Sequence, residues 1–433
     1  MRKKLLLLFL IFIFALSAFA NIYEVIPQNS KAVVVLNNTK TVYNDLKTVP
    51  FFGKILDDPI YAETLITGMI DAYIQSLEMD SEEVYAGLEN NLGLFIIEPE
   101  ENNYDIGIVF GPLDDGKKYI DIFSKVIDAL MPETEENMNF SYIVKKSDLQ
   151  DYLIITTNKD AYENSKLNFI PQKRYNDTGI YEEINTSSIK GYGFSNIKDG
   201  YLYSKFYLLT DTEISPSSVN VDNAEFFGLY FSKTNYIPKN LSLNLSSLGI
   251  ELPEDLINNL LEKSEWAEQT GTINIKTDEE TGEIVSKLGM RIKIRTNSTF
   301  EEITKLIPDD INKESIGKNY LKISKNIEDE NLLLYLWKDG DFLFLSNLDK
   351  NELKNYENLA KNLSSNALYN DLKPKVPQGN IGIFFIDLKP IVSFLIDYLG
   401  GEGLDGEFGG LGTAVSAKTP DGKNVIEFNF VMK

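Results

Sequence analysis

The sequence contains closely similar stretches near both ends, IPQNSKAVVVLN at residues 26–37 and VPQGNIGIFFID at residues 376–387. They align without a gap, and in each a proline precedes a continuous apolar run. Proline fixes φ and opens a rigid turn, while an unbroken apolar run is typical of a strand buried on both faces. A weaker middle copy, interrupted by polar residues, lies at 189–198. We predict a strand at each of these positions.

A second pattern, a glycine that opens a strand, a polar turn and a returning strand, begins at Gly93, Gly271 and Gly412. The turns are at 100–103, 278–282 and 419–422, and their composition favours antiparallel hairpins. Amphipathic stretches follow the first two hairpins and predict helices. Their apolar positions are Tyr119, Ile120, Phe123, Val126, Ile127 and Leu130 after the first, and Phe300, Ile303, Leu306 and Ile307 after the second.

A third correspondence matches DYLIIT at 151–156 with DFLFLS at 341–346, each followed by a polar helical segment. One unit is therefore a strand, a helical insert, a hairpin, a helix, a strand and a helix, with starts near 26, 184 and 371. Because the strands pair as hairpins, we predict an α+β fold of antiparallel sheets flanked by helices, rather than a doubly wound parallel sheet.

The predicted domain plan has two duplicated lobes. It consists of a signal peptide at 1–20, a first α+β lobe at 21–175, a second α+β lobe at 176–370, and a truncated third copy at 371–433 that completes a sheet. In its leader, proline-led strand, glycine hairpins and closing strands, the chain resembles exported bacterial proteins of a domain-of-unknown-function family. That resemblance implies an envelope location and no assigned chemistry.

The first twenty residues are typical of a signal peptide. Arg2, Lys3 and Lys4 precede an apolar run from Leu5 to Leu16, and the small-residue pattern at 18–20 predicts cleavage after Ala20. The run is shorter than the ~20 residues of a spanning helix, although a retained anchor stays open as an alternative. We expect a periplasmic or secreted protein with no later transmembrane segment.

Composition excludes several chemistries. The 433 residues include no cysteine and no histidine, which excludes disulfides, thiolate or imidazole metal centres and Ser-His-Asp triads. Acidic residues number 65 against 42 basic ones, and removal of the leader's three basic residues makes the net charge −26. So acidic a chain repels polyanions, and we expect no nucleic acid partner.

Two glycine-containing motifs invite a nucleotide-binding interpretation. GPLDDGKK at 111–118 has phosphate-loop spacing, but Pro112 lacks an N–H, two aspartates oppose a phosphate and Lys118 replaces the magnesium-binding hydroxyl. We interpret it as a structural strand-to-helix turn. GEGLDG at 401–406 has dinucleotide spacing but is acidic, and we interpret it as a flexible connector, with a calcium-binding loop as the alternative.

The remaining candidates concern hydrolysis. Ser187-x-x-Lys190 and Ser195-x-x-Lys198 match the nucleophile pattern of penicillin-recognising enzymes, but the completing motifs of that site are absent from the sequence. A glycosidase-like pair of Asp and Glu residues needs no histidine, yet the sequence does not select the pair. Trp266 and Trp337 are the only tryptophans, which is few for a site that stacks sugars on aromatic rings, and we expect both to pack in the core or at its rim.

No catalytic, cofactor-binding or metal-ligating residue is therefore assigned, and no cofactor is expected. The leading hypothesis is a non-catalytic extracytoplasmic protein that binds an unknown protein or small molecule in a groove between its lobes. The alternatives are a structural or assembly component of the envelope, which engages partners through the strands after Pro27 and Pro377, and a carboxylate-only hydrolase with a raised pKa on one acid.

Overall fold

We describe the fold from a computed structural model of the chain. The structure describes residues 22–433 except 58–59, 101–102, 131–139, 148–149, 174–178, 188, 212–217, 222, 236–263, 278–283, 308–310, 328–329, 399–404 and 420–421. The predicted signal peptide at 1–20 and the GEGLDG motif, apart from its last two residues, lie outside the described residues. The chain divides into a first unit, Met1–Asp211 with Thr419–Phe428 and Lys433, and a second unit, Thr212–Lys418 with Asn429–Met432.

Antiparallel strands form the sheet of the first unit. They are β1 (Ala32–Asn37), β2 (Leu92–Glu100), β3 (Asn103–Leu113), β4 (Ser141–Ser147), β5 (Gln150–Thr156), β6 (Gly179–Asn185), β7 (Lys190–Lys198) and β8 (Tyr201–Leu209). They pair in the order β4-β5-β3-β2-β1-β6-β7-β8. The central pair, β1 and β6, thus joins two meanders, β1-β2-β3 and β6-β7-β8.

Helices of the first unit lie between these strands along the chain. They are α1 (Thr39–Thr48), α2 (Pro50–Leu56), α3 (Ala62–Ser76), α4 (Ser81–Leu88), α5 (Gly116–Leu130) and α6 (Lys159–Asn164). The first four separate β1 from β2, whereas α5 follows β3 and α6 follows β5. Val33 and Val35 belong to one core cluster and Leu36 to another, with Val34 packed against the latter. Strand β1 is therefore buried on both faces, as predicted.

The second unit is also built on antiparallel pairs. Its strands are β9 (Glu225–Phe226), β10 (Tyr230–Thr234), β11 (Ser264–Thr277), β12 (Ile284–Thr296), β13 (Asn312–Gly317), β14 (Tyr320–Ile327), β15 (Glu330–Asp339), β16 (Phe342–Ser346), β17 (Lys361–Asn362), β18 (Gly382–Asp387), β19 (Gly409–Lys418) and the end of β20 (Asn424–Met432). The order through β19 is β13-β14-β15-β16-β12-β11-β10-β18-β19, and β9 pairs with β17 separately.

The helices of the second unit are α7 (Phe300–Thr304), α8 (Lys350–Leu359), α9 (Ala367–Leu372) and α10 (Lys389–Tyr398). Ile303 and Ile307 enter a core made by the strands β11, β12 and β14 to β16, with Phe300 and Leu306 packed against it. A smaller cluster around Trp337, Leu348 and Leu353 packs α8 against the sheet. Trp337 is therefore core, as predicted.

The hairpins and helices predicted from local pattern are confirmed. Strands β2 and β3 turn at Glu100 and Asn103, and β11 pairs with β12 up to Thr277 and Ile284, although the turn at 278–283 lies outside the described residues. At the third turn the N–H of Gly422 donates to the carbonyl of Thr419 at 2.9 Å. The predicted helices correspond to α5 and to α7 with the turn that follows it. The antiparallel, mixed α and β class predicted from sequence is likewise confirmed.

Other expectations differ from the structure. Residues 190–198 of the weak middle copy form β7, which has hairpin partners on both sides and no helical insert, unlike β1. Strands β6 to β8, assigned from the sequence to the second lobe, belong to the first unit, which extends to Asp211: β6 pairs with β1, β7 with β6 and β8 with β7. The strands after Pro27 and Pro377 are not sheet edges, because β1 lies between β2 and β6 and β18 between β10 and β19.

Among the described residues, the helices are all too short or too polar to cross a bilayer.

Candidate ligand site

The site with the strongest ligand-binding character in the described chain begins at helix α9. Asn366 caps this helix, since its Oδ1 accepts the N–H of Tyr369 at 3.0 Å. Asparagine is a favoured capping residue because its side chain satisfies an amide that the first helical turn leaves free. The cap fixes Tyr369, which is 1% exposed, with its ring edge-on to Phe385 of β18 at 5.7 Å. Helix α9 is thereby held against the sheet beside the Pro377 turn.

A cavity of about 570 Å³, here called the Pro377 groove, lies beside this helix. Its walls come from five segments of the second unit: the loop at 218–221, the end of α9 with the residues that follow it, the turn at 376–379, strand β18 and strand β19. The lining is mixed, with apolar members Val219, Val221, Val376, Ile383 and Leu411 and polar members Ser218, Asn220, Asn370 and Gln378. Its volume falls in the range of small-molecule cavities, roughly 300–1,000 Å³.

Thr413 supplies a buried polar group in this lining. It lies opposite Ile383 in the β18–β19 register, and both side chains face the groove. The residue is 5% exposed, and its Oγ1 has no hydrogen-bond partner among the described residues. Burying a hydroxyl without a partner costs about 1–3 kcal/mol, and here the unused donor and acceptor belongs to a residue that lines a cavity.

Among the described residues, Lys373 is the only charged one that lines the Pro377 groove. It is exposed, its Nζ lies 5.6 Å from the centroid of the Tyr369 ring, and it forms no ion pair with any described residue. The neighbouring Lys375, in contrast, pairs with Asp371 at 3.3 Å. The Pro377 groove thus has an unpaired ammonium and no acidic lining residue among the described residues, although the chain carries a net charge of −23.

The first unit has a counterpart, here called the Pro27 groove, of about 580 Å³ beside Gln28 and Asn29. Lys166 is the only charged lining residue in the part of the chain that the structure describes. It follows α6, which Asn158 caps by accepting the N–H of Ala161 at 3.0 Å, and which carries the fully buried Tyr162. This groove is more open to solvent, and none of its lining residues has a buried polar atom without a partner. It therefore has weaker ligand-binding character.

The GPLDDGKK segment forms the turn between β3 and α5, as predicted. Its amide groups are already occupied: Gly116 N–H donates to Asp151 Oδ2 at 3.0 Å, and the amides of Lys117 and Lys118 donate to Asp115 Oδ1 at 3.1 and 3.3 Å. A phosphate needs these N–H groups at the start of a helix. Here these N–H groups already donate to the carboxylates of Asp151 and Asp115, so they are not available to a phosphate.

The two Ser-x-x-Lys matches lie in or beside strand β7. Ser195 and Lys198 are three residues apart in an extended strand, where side chains alternate between faces, so they point to opposite faces. The hydroxyl of Ser195 bonds instead to the hydroxyl of Ser204 on β8 at 2.8 Å. Ser187 and Lys190 lie exposed at the turn between β6 and β7. A serine nucleophile and a lysine base must lie within hydrogen-bond distance of each other, and the opposite orientations of Ser195 and Lys198 do not allow this.

Among the described residues, neither the Pro27 groove nor the Pro377 groove is lined by an aspartate or a glutamate, so these residues form no acid pair of a hydrolase there. Burial raises the pKa of two described carboxylates outside the grooves, Glu182 and Asp387, and the charge of Glu407 acts in the same direction on that of Asp387. The Oδ1 of Asp387 accepts the N–H of Lys389 at 3.0 Å where α10 begins. This acid therefore serves as a helix cap.

Two features of the second unit escaped sequence reasoning: the unpartnered hydroxyl of Thr413 and the buried guanidinium of Arg291. Both depend on strand pairing between distant segments, which leaves no mark in local composition. The signal that pointed to the region was the repeated proline-glutamine turn, because Gln28 lines one groove and Gln378 the other.

Comparison of the chain with family models, with curated proteins and with solved structures gives no match.

Proposed function

We propose that this chain is an exported, non-catalytic binding protein that holds a small organic ligand in the Pro377 groove. The observation that carries the proposal is the hydroxyl of Thr413, buried in the wall of a ligand-sized cavity and without a partner. A cavity of mostly apolar lining with a few polar groups is the usual form of a small-molecule site. The sequence-based hypothesis placed the ligand in a groove between two lobes. The site proposed here differs, because the Pro377 groove lies within the second unit.

Internal repetition belongs to the same proposal, with the three-stranded meander as the repeated element. Equivalent backbone hydrogen bonds support it: Lys31 N–H donates to Ile96 at 2.7 Å, and Ile381 N–H donates to Ala414 at 3.0 Å. Both donors stand four residues after the proline of their turn, Pro27 or Pro377. The carbonyls of Lys31 and Ile381 each accept an asparagine N–H at 2.7 Å, from Asn185 and Asn235 respectively.

An extracytoplasmic location is the third part of the proposal. It rests on the leader at 1–20, whose basic residues and apolar run are typical of a signal peptide. We propose cleavage after Ala20, so that the binding form begins at Asn21.

The test measures bound ligand and stability together. The mature chain is purified from the native envelope and examined by native mass spectrometry, beside a Thr413→Val variant and a Thr64→Val control on the exposed face of α3. We expect one small molecule per wild-type and control chain, and its loss from Thr413→Val. After removal of the ligand, the free energy of unfolding of Thr413→Val should exceed that of wild type by about 1–3 kcal/mol, because the substitution removes an unsatisfied hydroxyl.

Full retention of the ligand by Thr413→Val, or a wild-type chain that carries no molecule in the native fraction, would contradict the proposal.

A further inference from the structure

The charge of the Pro377 groove defines the class of ligand, an inference that rests on the function proposed above. The groove combines an apolar patch, one buried hydroxyl without a partner and one unpaired ammonium, and its lining among the described residues includes no aspartate or glutamate. From this combination we infer that the groove takes an apolar organic molecule with a single carboxylate, whose acid group pairs with Lys373.

The apolar part of the ligand follows from the lining. Val219, Val221, Ile383 and Leu411 present hydrocarbon to the cavity, and burial of apolar ligand surface against them contributes roughly 25 cal/mol per Å² removed from water. These four side chains offer no hydrogen bond, so the part of the ligand that contacts them should be hydrocarbon, since polar groups placed there would lose their water without replacement.

The carboxylate follows from Lys373. The ammonium of Lys373 lies 5.6 Å from the centroid of the Tyr369 ring and has no carboxylate partner in the described chain. A chain with 65 acidic residues offers its lysines many partners, and neighbouring Lys375 has one in Asp371. A ligand amine would meet repulsion from Lys373, and a neutral ligand would leave its charge unused.

Thr413 completes the recognition as a polar contact along the body of the ligand. Its hydroxyl can accept or donate, so it does not select charge. Discrimination between acid, alcohol and amine therefore belongs to Lys373, whereas occupancy of the groove depends on both residues. This division makes the charge inference separable from the proposed function.

The experiment uses three probes with one eight-carbon body: octanoate, octan-1-ol and octylamine. Isothermal titration at pH 7.5 measures each against the mature chain, 21–433, stripped of any bound molecule, and against Lys373→Met and Lys375→Met variants. Lys375→Met is the matched control, because Lys375 lies two residues from Lys373 and does not line the groove. The methionine side chain keeps most of the apolar length of lysine and removes the charge.

We expect wild type to bind octanoate at least tenfold more tightly than octan-1-ol, as hydrogen bonds to charged groups are worth about that factor or more. Lys373→Met should lower octanoate affinity about tenfold and leave octan-1-ol within twofold, whereas Lys375→Met should change neither. Octanoate binding should weaken as salt rises from 0.05 to 0.5 M, by the screening of a partly exposed pair.

Equal binding of acid and alcohol by wild type, an unchanged octanoate affinity in Lys373→Met, tightest binding of octylamine, or no binding of any probe would each overturn the carboxylate assignment. The proposed function has its own readout, the native molecule bound to wild type and lost from Thr413→Val. Retention of that molecule by Lys373→Met, together with its loss from Thr413→Val, would leave the binding role standing and remove the charge inference alone.

Discussion

Arg291 of β12 is a buried cation shared by two glutamates. It is 3% exposed, and its guanidinium donates to Glu357 at 2.9 Å and to Glu225 at 2.5 Å while its plane lies 4.9 Å from the Phe227 ring. The planar fork of arginine suits this double pairing, and burial of the charge without both partners would be costly. This side chain thus ties β12 to β9 and α8.

The first prediction concerns those glutamates. Glu225→Gln/Glu357→Gln leaves Arg291 buried and uncompensated, and should lower the free energy of unfolding by about 3 kcal/mol. Urea denaturation followed by circular dichroism measures the change. The control Lys287→Met breaks an exposed pair with Glu352, and should change stability by less than about 1 kcal/mol. If the double variant loses no more stability than the Lys287→Met control, then the charge of Arg291 is compensated by groups other than Glu225 and Glu357.

A second residue-scale prediction concerns Glu182 of β6, whose pKa is raised because burial removes it from water, partly opposed by a hydrogen bond with Ser195. A raised folded pKa favours the protonated acid, so its contribution to stability is present below the unfolded pKa and is lost as pH rises through the folded pKa. Glu182→Gln should therefore be more stable than wild type at pH 7 and indistinguishable from it near pH 3.

Denaturation curves from pH 3 to pH 8 measure this difference. Glu265→Gln, which alters an exposed acid paired with Arg295, provides the control and should show no such pH-dependent gain. A Glu182→Gln variant less stable than wild type at pH 7 would show that the carboxylate has a favourable partner.

The roles of individual side chains such as Thr413 and Lys373 could not be predicted from the sequence. Nothing near Thr413 in the chain distinguishes it from other threonines, because its isolation arises from the strand opposite and from the loops that close the groove. No local sequence pattern distinguishes Lys373 from other lysines either. Where a residue's role depends on contacts across the fold, composition and spacing do not reveal it.

At the scale of elements, an aromatic ring covers a glycine across neighbouring strands in each meander. Phe95 lies opposite Gly107, Phe206 opposite Gly193 and Tyr230 opposite Gly271. A methyl group added at Gly107 would stand 2.0 Å from the Phe95 ring, and one at Gly271 would stand 2.1 Å from the Tyr230 ring. Phe430 covers Gly410 in the same way. The glycines therefore provide the surface on which the rings pack.

The prediction at this scale is that Gly107→Ala and Gly271→Ala each destabilise by about 1–3 kcal/mol, as expected of overpacking. Gly68→Ala is the matched control: it lies in exposed helix α3 with no atom near its added methyl, and should stabilise by roughly 0.5–1 kcal/mol. Thermal and urea unfolding of the three variants measure both signs. Stabilisation of either strand variant would contradict the packing of the ring on the glycine.

Local elements were the predictable part of the fold. Hairpins at 92–113 and 264–296 and the strands at 151–156 and 341–346 follow from glycine, polar turns and apolar runs that are contiguous in the chain. The pairing of β1 with β6 was not predictable, because it joins segments more than 140 residues apart. Strands β6 to β8 also lack a strong pattern, since tyrosine, lysine and glycine interrupt their apolar positions.

At the scale of the whole molecule, the proposed leader and the charge bear on where the protein works. If the leader is removed as proposed, the remaining residues carry a net charge of −26, which disfavours association with polyanions. On the proposal made above, the unpaired Lys373 would then provide a local positive charge at the Pro377 groove of an otherwise acidic chain.

The corresponding prediction is cleavage of the leader after Ala20. Mass spectrometry of the extracytoplasmic fraction should find a mature chain that begins Asn21-Ile22, because small residues at 18 and 20 meet the requirement of the peptidase. Ala20→Glu should accumulate uncleaved precursor, whereas Asn21→Gln should be processed normally. A full-length wild-type chain that retains Met1 outside the cytoplasm would indicate an anchored form instead.

The most direct test of the central claim is a crystal structure of the mature protein purified from its native envelope. The account predicts electron density for a small organic molecule in the Pro377 groove, with a polar atom within hydrogen-bond distance of Thr413 Oγ1 and an acid group at Lys373. A groove filled by the protein's own side chains, with Thr413 bonded within the chain and Lys373 paired to one of its own carboxylates, would contradict it.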